Sequence, residues 1–206
     1  SRICRPTASW RTKRIAEPSG DHAGSKSPVP GPPSVIGVGV AFEITPEGGG
    51  HQGKLHETQL GNTDTASVRL CPSGAVEVLT GVTSPGNGND LGIAKLVAAE
   101  LGLSREQVSV LQGDTDRGPY GYGNNSSKGL TIGGAAAVLA ARDLAGQLRR
   151  AASLVLQEDE QRITLLDGLA STPDGRSVGM ARLYGVLHAS PPHPGGPWAS
   201  EFTRTY

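Results

Sequence analysis

Hydrophobic residues along this chain follow the period of strands in some segments and that of helices in others. Residues 35–44 are a β-branched run that predicts a buried strand. Residues 66–71 and 75–81 predict a hairpin, because Pro72 and Gly74 occupy positions i+1 and i+3 of the turn between them. A single short strand is predicted at residues 108–111.

Two segments show apolar residues at helical spacing. Residues 90–101 predict a helix with one apolar face, and Gly102 follows it as the residue that ends it. Residues 131–156 predict a long, alanine-rich helix. Weaker patterns predict a strand at 162–166 and a helix at 178–187. Strands, glycine-rich loops and helices alternate, so the predicted fold class is α+β, built from strand–loop–helix units.

The chain divides into three zones by composition. Residues 1–34 are rich in proline and carry six basic and two acidic residues, a net charge of +4. Such a segment cannot bury enough apolar surface to offset its ordering entropy, so we interpret it as a linker or an arm over another surface. Residues 35–190 are expected to hold the folded domain. Residues 191–206 are interpreted as a Pro/Gly-rich tail.

Overall composition excludes several classes of protein. The chain has 206 residues, which is typical of about one domain, and a formal net charge of zero, so a general nucleic-acid binder is not expected. Aromatic residues make up 4%, so the core must consist of Val, Leu, Ile and Ala. The sequence contains no run of 18 apolar residues, so no membrane span is predicted. Two cysteines cannot form a disulfide framework, and a cytoplasmic location is the expectation.

The first candidate site is the glycine-rich segment that opens the first predicted helix. Gly86 and Gly88 allow close approach of a ligand to the backbone, and the helix start offers unpaired N–H groups. These features suit an anion or a phosphate, and Asn87 adds an amide. The alternative is a plain tight turn with Asn89 or Asp90 as the N-cap of the helix.

The second candidate site is the long loop that precedes the alanine-rich helix. It is rich in Gly, Asn, Ser and Tyr, and Ser127 and Lys128 come just before the predicted helix. Hydroxyl, amide and ammonium groups at a helix start again suit a phosphate or a polyanionic cofactor. Both candidate sites therefore follow one design, in which a strand leads through a glycine-rich loop into a helix.

No metal ligand set is predicted. Asp114 and Asp116 lack a third ligand and are interpreted as turn formers and caps. His51 and His56 lie five residues apart in a glycine-rich loop without a further nearby Cys or His, so a zinc site is not expected there.

Short motifs in a fixed order carry a family resemblance. They are Gly37-Val-Gly39, Ser67-Val-Arg-Leu70, Val76-Glu-Val-Leu-Thr-Gly81, Ser84-x-Gly86-x-Gly88, Gly113-Asp-Thr-Asp116, Pro119-Tyr-Gly121-x-Gly123 and Gly133-Gly-Ala-Ala-Ala137. Together they resemble the molybdopterin-binding large subunit of the molybdenum hydroxylases, the family of xanthine dehydrogenase, aldehyde oxidase and carbon monoxide dehydrogenase. The resemblance covers residues 35–156 well and is weaker from there to residue 206.

The resemblance implies a cofactor, its binding residues and partners. Large subunits of this family have an α+β architecture and hold molybdenum–molybdopterin, often as the cytosine dinucleotide. The positions that match their pterin- and phosphate-binding turns are Gly86, Asn87, Gly88, Ser127 and Lys128. Iron–sulfur clusters and FAD are expected only on partner subunits of the complex.

The chain also departs from the family pattern. Asn87 stands where the family usually has Gln, and Lys128 stands where it has Arg, whose bidentate fork a lysine lacks. The family's active-site glutamate lies in a Gly-Glu motif, and none of the ten glutamates here follows a glycine. An upstream Gln-bearing stretch that approaches the metal is missing too. The chain therefore resembles a middle slice of the large subunit, and no catalytic residue is predicted in it.

Two functional hypotheses follow from the resemblance and the departures. The first is the cofactor-binding portion of an enzyme that hydroxylates aldehydes or N-heterocycles with water, inactive as an isolated chain and completed by the rest of the large subunit. The alternative is a non-catalytic truncated remnant, or a phosphate- or nucleotide-binding module without molybdenum.

Overall fold

Helices and two β-sheets make up the part of the chain that the structure describes, which confirms the α+β class. The computed structural model describes residues 63–124, 127–189 and 197–206. The predicted strand at 35–44 and the predicted linker at 1–34 lie outside these ranges. The elements are β1 (Thr65–Leu70), β2 (Val76–Thr80), α1 (Asn89–Leu101), β3 (Val108–Leu111), α2 (Gly134–Leu156), β4 (Thr164–Leu166), β5 (Leu169–Ser171), β6 (Ser177–Gly179), α3 (Met180–Ala189) and β7 (Glu201–Thr205).

The larger sheet has the strand order β3-β2-β1-β7. The predicted hairpin is confirmed: β1 and β2 are antiparallel, and the Gly74 amide donates to the Cys71 carbonyl at 2.9 Å across the turn. Helix α1 connects β2 to the parallel strand β3. The larger sheet therefore combines a local hairpin with one strand–helix–strand crossover, and α1 begins at the end where β2 stops.

Helix α1 lies where the apolar spacing predicts it, but its N-cap is different. The N-cap is Gly88, in a left-handed conformation with φ +77°, and no side chain caps the helix. The expectation of Asn89 or Asp90 as N-cap is therefore wrong, because the helix starts one residue earlier than predicted. Gly102 ends the helix at φ +62°, as predicted.

Helix α2 starts later than the sequence predicts. A π-helical turn at Gly129–Gly133 precedes the regular helix, which begins at Gly134 instead of Thr131. Gly133 packs directly on the side chain of Val82, where a Cβ atom would collide with it. Packing of this glycine-rich start against the β2–α1 connection thus takes precedence over the helical pattern.

The core between the larger sheet and the helices contains no aromatic side chain among the fully buried residues described, as the composition predicts. Val68 and Val78 of the sheet belong to the same buried cluster as Ile93 and Val97 of α1. Helix α2 contributes Leu144, Leu148 and seven buried alanines: Ala136, Ala137, Ala140, Ala141, Ala145, Ala151 and Ala152. Alanine side chains leave little bulk between the backbones, so α2 packs closely on α1 and β1.

Residues interpreted as a Pro/Gly tail include an edge strand. β7 pairs with β1 in antiparallel register, with Val68 opposite Phe202, and Phe202 packs against the core. The Ser67 and Thr203 hydroxyls also meet at 2.5 Å. The partner of this short strand lies more than 130 residues earlier in the chain, so local pattern does not reveal it. A smaller antiparallel sheet, β4-β5-β6, packs together with α3 against α2.

Replacement of Gly102 tests the junction between α1 and β4. A Cβ atom there would collide with the Leu165 carbonyl, and φ +62° is unfavourable for other residues. We expect Gly102→Ala to lower the free energy of unfolding by about 1–3 kcal/mol. Gly146→Ala is the control, since a Cβ in the middle of α2 meets nothing within 4 Å and should stabilise by about 0.5–1 kcal/mol. Equal values for the two variants in urea denaturation would contradict this packing.

Candidate functional site

The two predicted binding turns lie side by side at the N-terminal ends of α1 and α2. The Asn89 side chain, at the start of α1, donates to Asn124 Oδ1 at 3.3 Å. Asn124 in turn donates to the Thr83 carbonyl. A Cβ atom on Gly129 would lie 2.9 Å from Asn124 Oδ1, so the π-helical turn contacts the same pair of amides. The structure thus brings together two segments that are about 40 residues apart in sequence.

A backbone crossing fixes the approach of the two loops. A Cβ atom on Gly81 would lie 2.5 Å from the Gly121 Cα, and one on Gly121 would lie 2.6 Å from the Gly81 Cα. Neither position can carry a side chain unless the loops move apart. These two glycines therefore set the distance between the β2–α1 loop and the loop that precedes α2.

The first turn is open towards the outside. Gly86 has φ +101° and Gly88 has φ +77°, and a Cβ atom at either position would meet nothing within 4 Å. Asn87, between them, is exposed. Its Oδ1 lies 3.3 Å from the Ser84 hydroxyl oxygen and accepts from the Asn89 amide at 3.5 Å. The turn therefore presents bare backbone beside the helix start, and its one side-chain amide is held by short-range bonds.

Asp90 places a negative charge in the first turn of α1. A hydrogen bond from the Ser84 hydroxyl, with a further one from the Leu91 backbone amide, lowers the pKa of this carboxyl. Negative charge at a helix N-terminus is favourable, so Asp90 takes up part of the attraction that the helix offers to an anion.

The second turn has its lysine turned inwards. Ser127 is exposed with φ +53°, whereas the Lys128 side chain is only 2% exposed. Its ammonium lies 3.1 Å from Asp64 Oδ2, in an ion pair rather than an aligned hydrogen bond, and 5.0 Å from the centre of the Tyr122 ring. Asp64 is a residue of this region that the sequence analysis missed. Only its contact with a residue 64 positions later reveals its place, and no local pattern carries that signal.

A crevice with a cavity volume of about 370 Å³ lies between the β2–α1 loop and the loop that follows β3. Thr80, Thr83 and Tyr120 are among its lining residues. Asp114 lines it too, but its Oδ1 accepts from the Asp116 and Arg117 amides at 3.0 and 3.3 Å. That pattern is a side-chain turn, as predicted for Asp114.

The described ranges contain neither a metal-ligand cluster nor a membrane-spanning helix. Among those residues, no three or more His, Cys, Asp and Glu side chains gather in a group able to hold a metal ion. No helix in the same ranges combines the length and the apolar character needed to cross a membrane. His51 and His56 lie outside them.

Comparison with known proteins decides the family. The model of the family described as molybdopterin cofactor-binding domain matches residues 15–195. The chain belongs to this family. The matched region includes both glycine-rich turns, so the resemblance seen in the short motifs is confirmed.

Relatives of the molybdopterin-binding domain are large subunits of oxidoreductases. The carbon monoxide dehydrogenase large chain of Hydrogenophaga pseudoflava is 30% identical over 131 residues, covering 64% of this chain and 16% of that protein. The nicotine 6-hydroxylase large subunit of Paenarthrobacter nicotinovorans is 32% identical over 136 residues, covering 66% and 16%. The chain thus spans about a sixth of the length of these relatives.

Two solved structures match this molybdopterin-binding domain as well. Quinoline 2-oxidoreductase from Pseudomonas putida 86 aligns with a TM-score of 0.63 and 29% identity, over 70% of this chain and 19% of that chain. The Cu,Mo-CO dehydrogenase aligns with a TM-score of 0.61 and 28% identity, over 69% and 18%. The fold is therefore part of the domain found in molybdenum hydroxylases.

Removal of the Ser84 hydroxyl tests the electrostatics of the first turn. We expect Ser84→Ala to raise the pKa of Asp90 towards its ordinary value, because the largest contribution to its lowering is then absent. Ser73→Ala is a suitable control, since that hydroxyl accepts from the Ala75 amide in the β1–β2 turn. Carboxyl chemical shifts followed during an acid titration measure the change. An Asp90 pKa unaffected by Ser84→Ala would rule out the hydrogen bond.

Proposed function

We propose that this chain is the part of a molybdenum hydroxylase large subunit that holds molybdopterin between the two turns. The observation that carries the proposal is the open Gly86–Gly88 turn at the start of α1, directly beside the start of the π-helical turn before α2. A ligand that spans both turns meets backbone N–H groups from two helix starts.

The bare backbone of the first turn fits a large planar ligand. Open space beside Gly86 and Gly88 is where a Cβ atom would point, so a side chain at either position occupies room that the ligand needs. Asn87 lies between them on the exposed surface and contributes its amide. Gly86, Asn87 and Gly88 together form the first half of the proposed cradle.

The charges of the two turns favour one orientation of the cofactor. Asp90 keeps a negative charge at the start of α1, which opposes a phosphate there. The first turn of the π-helical segment contains no acidic residue, and Ser127 and Lys128 precede it. We therefore assign the phosphate-bearing part to the backbone and hydroxyl groups at Ser127 and Lys128, and the pterin to the Gly86–Gly88 side. Lys128 contributes here through its backbone position, because its ammonium faces Asp64.

The activity is that of the complete large subunit. Bound molybdenum supplies the redox chemistry of hydroxylation with water as the oxygen source. This chain contributes binding and orientation, and the remaining part of the large subunit contributes the base, so we expect no turnover by the isolated chain. Support for N-heterocycles as substrates comes from relatives named nicotine 6-hydroxylase and quinoline 2-oxidoreductase.

Partners and the cofactor form follow from the same family membership. Relatives are named as the large chain or a subunit of a complex, which supports assembly with other subunits. Those partners would carry the iron–sulfur clusters and FAD, and the pterin would be the cytosine dinucleotide in a cytoplasmic enzyme. Neither nucleic acid nor a membrane has a place in this function.

Cofactor content tests the proposal. The 206-residue chain, produced in a host that makes molybdopterin, should retain pterin and molybdenum through purification. We expect Gly88→Ala to lower the affinity at least about tenfold, equivalent to about 1.4 kcal/mol, because its methyl group occupies the open side of the turn. Pterin released per chain, measured by its fluorescence, and molybdenum by elemental analysis give the result.

Gly175→Ala is a matched control for this substitution. Gly175 also has a positive φ, +92°, with open space beside it, but it lies in the turn before β6. The Gly175→Ala substitution causes similar backbone strain away from the cradle, so the pterin content should stay unchanged. An unsubstituted chain without pterin, or equal loss in both variants, would argue against the cradle.

A further inference from the structure

The bulkiest side chain among the fully buried residues described is a charged one, Lys128. Its ammonium lies 3.1 Å from Asp64 Oδ2, and the two side chains are 2% and 0% exposed. A charge removed from water is strongly unfavourable unless it is compensated, and these two groups compensate each other. An inward-facing lysine beside a phosphate-binding turn is unexpected if its only use is to attract the ligand.

Asp64 connects this lysine to two other parts of the structure. Its Oδ1 accepts from the Tyr122 amide at 2.9 Å, so the carboxylate contacts the loop both at Tyr122 and at Lys128. Its own backbone bonds Tyr206 in both directions, with N–O distances of 3.3 and 3.0 Å, beyond the end of β7. Asp64 therefore joins the edge of the larger sheet, through its backbone, to the loop before α2, through its carboxylate.

The Asp64–Lys128 pair matters for the second turn because of where Lys128 lies along the chain. Lys128 follows Ser127 directly and precedes the π-helical turn at Gly129. Because the Lys128 side chain is buried, holding its ammonium at Asp64 restricts the peptide units on both sides of Lys128, next to the Ser127 hydroxyl and the first N–H groups of the helix. The pair thus acts on the same backbone that the proposed function assigns to the phosphate.

We propose that Asp64 and Lys128 are positioning residues, whose side chains fix the second turn for the cofactor without touching it. This inference rests on the proposed function for its ligand, whereas the anchoring of the loop stands on the contacts alone. Two opposite charges that must meet in a water-excluded place allow few alternative arrangements of the loop, which is how buried ion pairs specify a conformation.

Local exchange of one amide measures the anchoring directly. We expect Lys128→Met, which keeps the apolar stem and removes the charge, to speed hydrogen exchange of the Tyr122 amide at least about tenfold. The Gly118 amide, in the same loop but bonded to the Asp114 carbonyl at 2.8 Å, should exchange as before. Arg142→Met is the control substitution, since its pair with Glu100 on the exposed surface of the helices has a similar distance of 2.9 Å. An unchanged Tyr122 exchange rate in Lys128→Met would overturn the proposal.

Combined variants separate positioning from stability. The neutral pair Asp64→Asn with Lys128→Met should unfold at a higher urea concentration than Lys128→Met alone, because no unpaired charge stays buried. Its pterin content should nevertheless remain low, since methionine cannot tie the turn to residue 64. Lys128→Arg should keep the content close to that of the unsubstituted chain, because the charge can still reach the carboxylate.

Each result has one meaning for the proposal. Recovery of both stability and pterin content in the double variant would overturn it, because the pair would then be merely structural. Loss of pterin that persists while stability returns supports it. An unsubstituted chain without pterin refutes the proposed function instead, and the Tyr122 amide then decides the anchoring by itself.

Discussion

The close crossing of two backbones at Gly81 and Gly121 is the constraint on which the candidate site depends. Cβ atoms at these positions would approach the opposite backbone to about 2.5 Å, so only glycine permits the contact. Each glycine leads into one of the two binding turns. The crossing therefore sets their separation before any side chain contributes, and the Asn89–Asn124 contact and the packing of Gly133 on Val82 follow from it.

Small residues continue the same principle through the core. Seven buried alanines on α2 keep that helix close to α1 and the larger sheet. Close packing of the two helices in turn brings their N-terminal ends together. A bulkier α2 face would move the helix starts apart, and a ligand could no longer contact both. The low aromatic content of the chain is thus consistent with the close helix packing that the proposed binding site needs.

Local signals predicted the hairpin, the body of α1 and β3 because the residues that decide them lie within a few positions. Pro72 and Gly74 specify their own turn, and Gly102 ends its own helix. Features that depend on distant partners were missed. β7 needs β1 to be a strand, the late start of α2 depends on Val82, and Asp64 has meaning only next to Lys128. The positions of Gly86, Asn87, Gly88 and Ser127 could be proposed from sequence, but not the inward direction of the lysine.

The two turns solve different physical problems. Gly86 and Gly88 have no side chains and leave the backbone open, so the proposed ligand could approach the peptide groups at the start of α1 closely. The second turn contains Lys128, whose charge is already compensated inside the protein by Asp64. An exposed lysine would attract any anion and would leave the loop free to adopt many conformations. A buried lysine that must meet Asp64 favours a single conformation of the loop. In the proposed cradle, attraction of the ligand then depends on oriented backbone groups, which would need no rearrangement on binding.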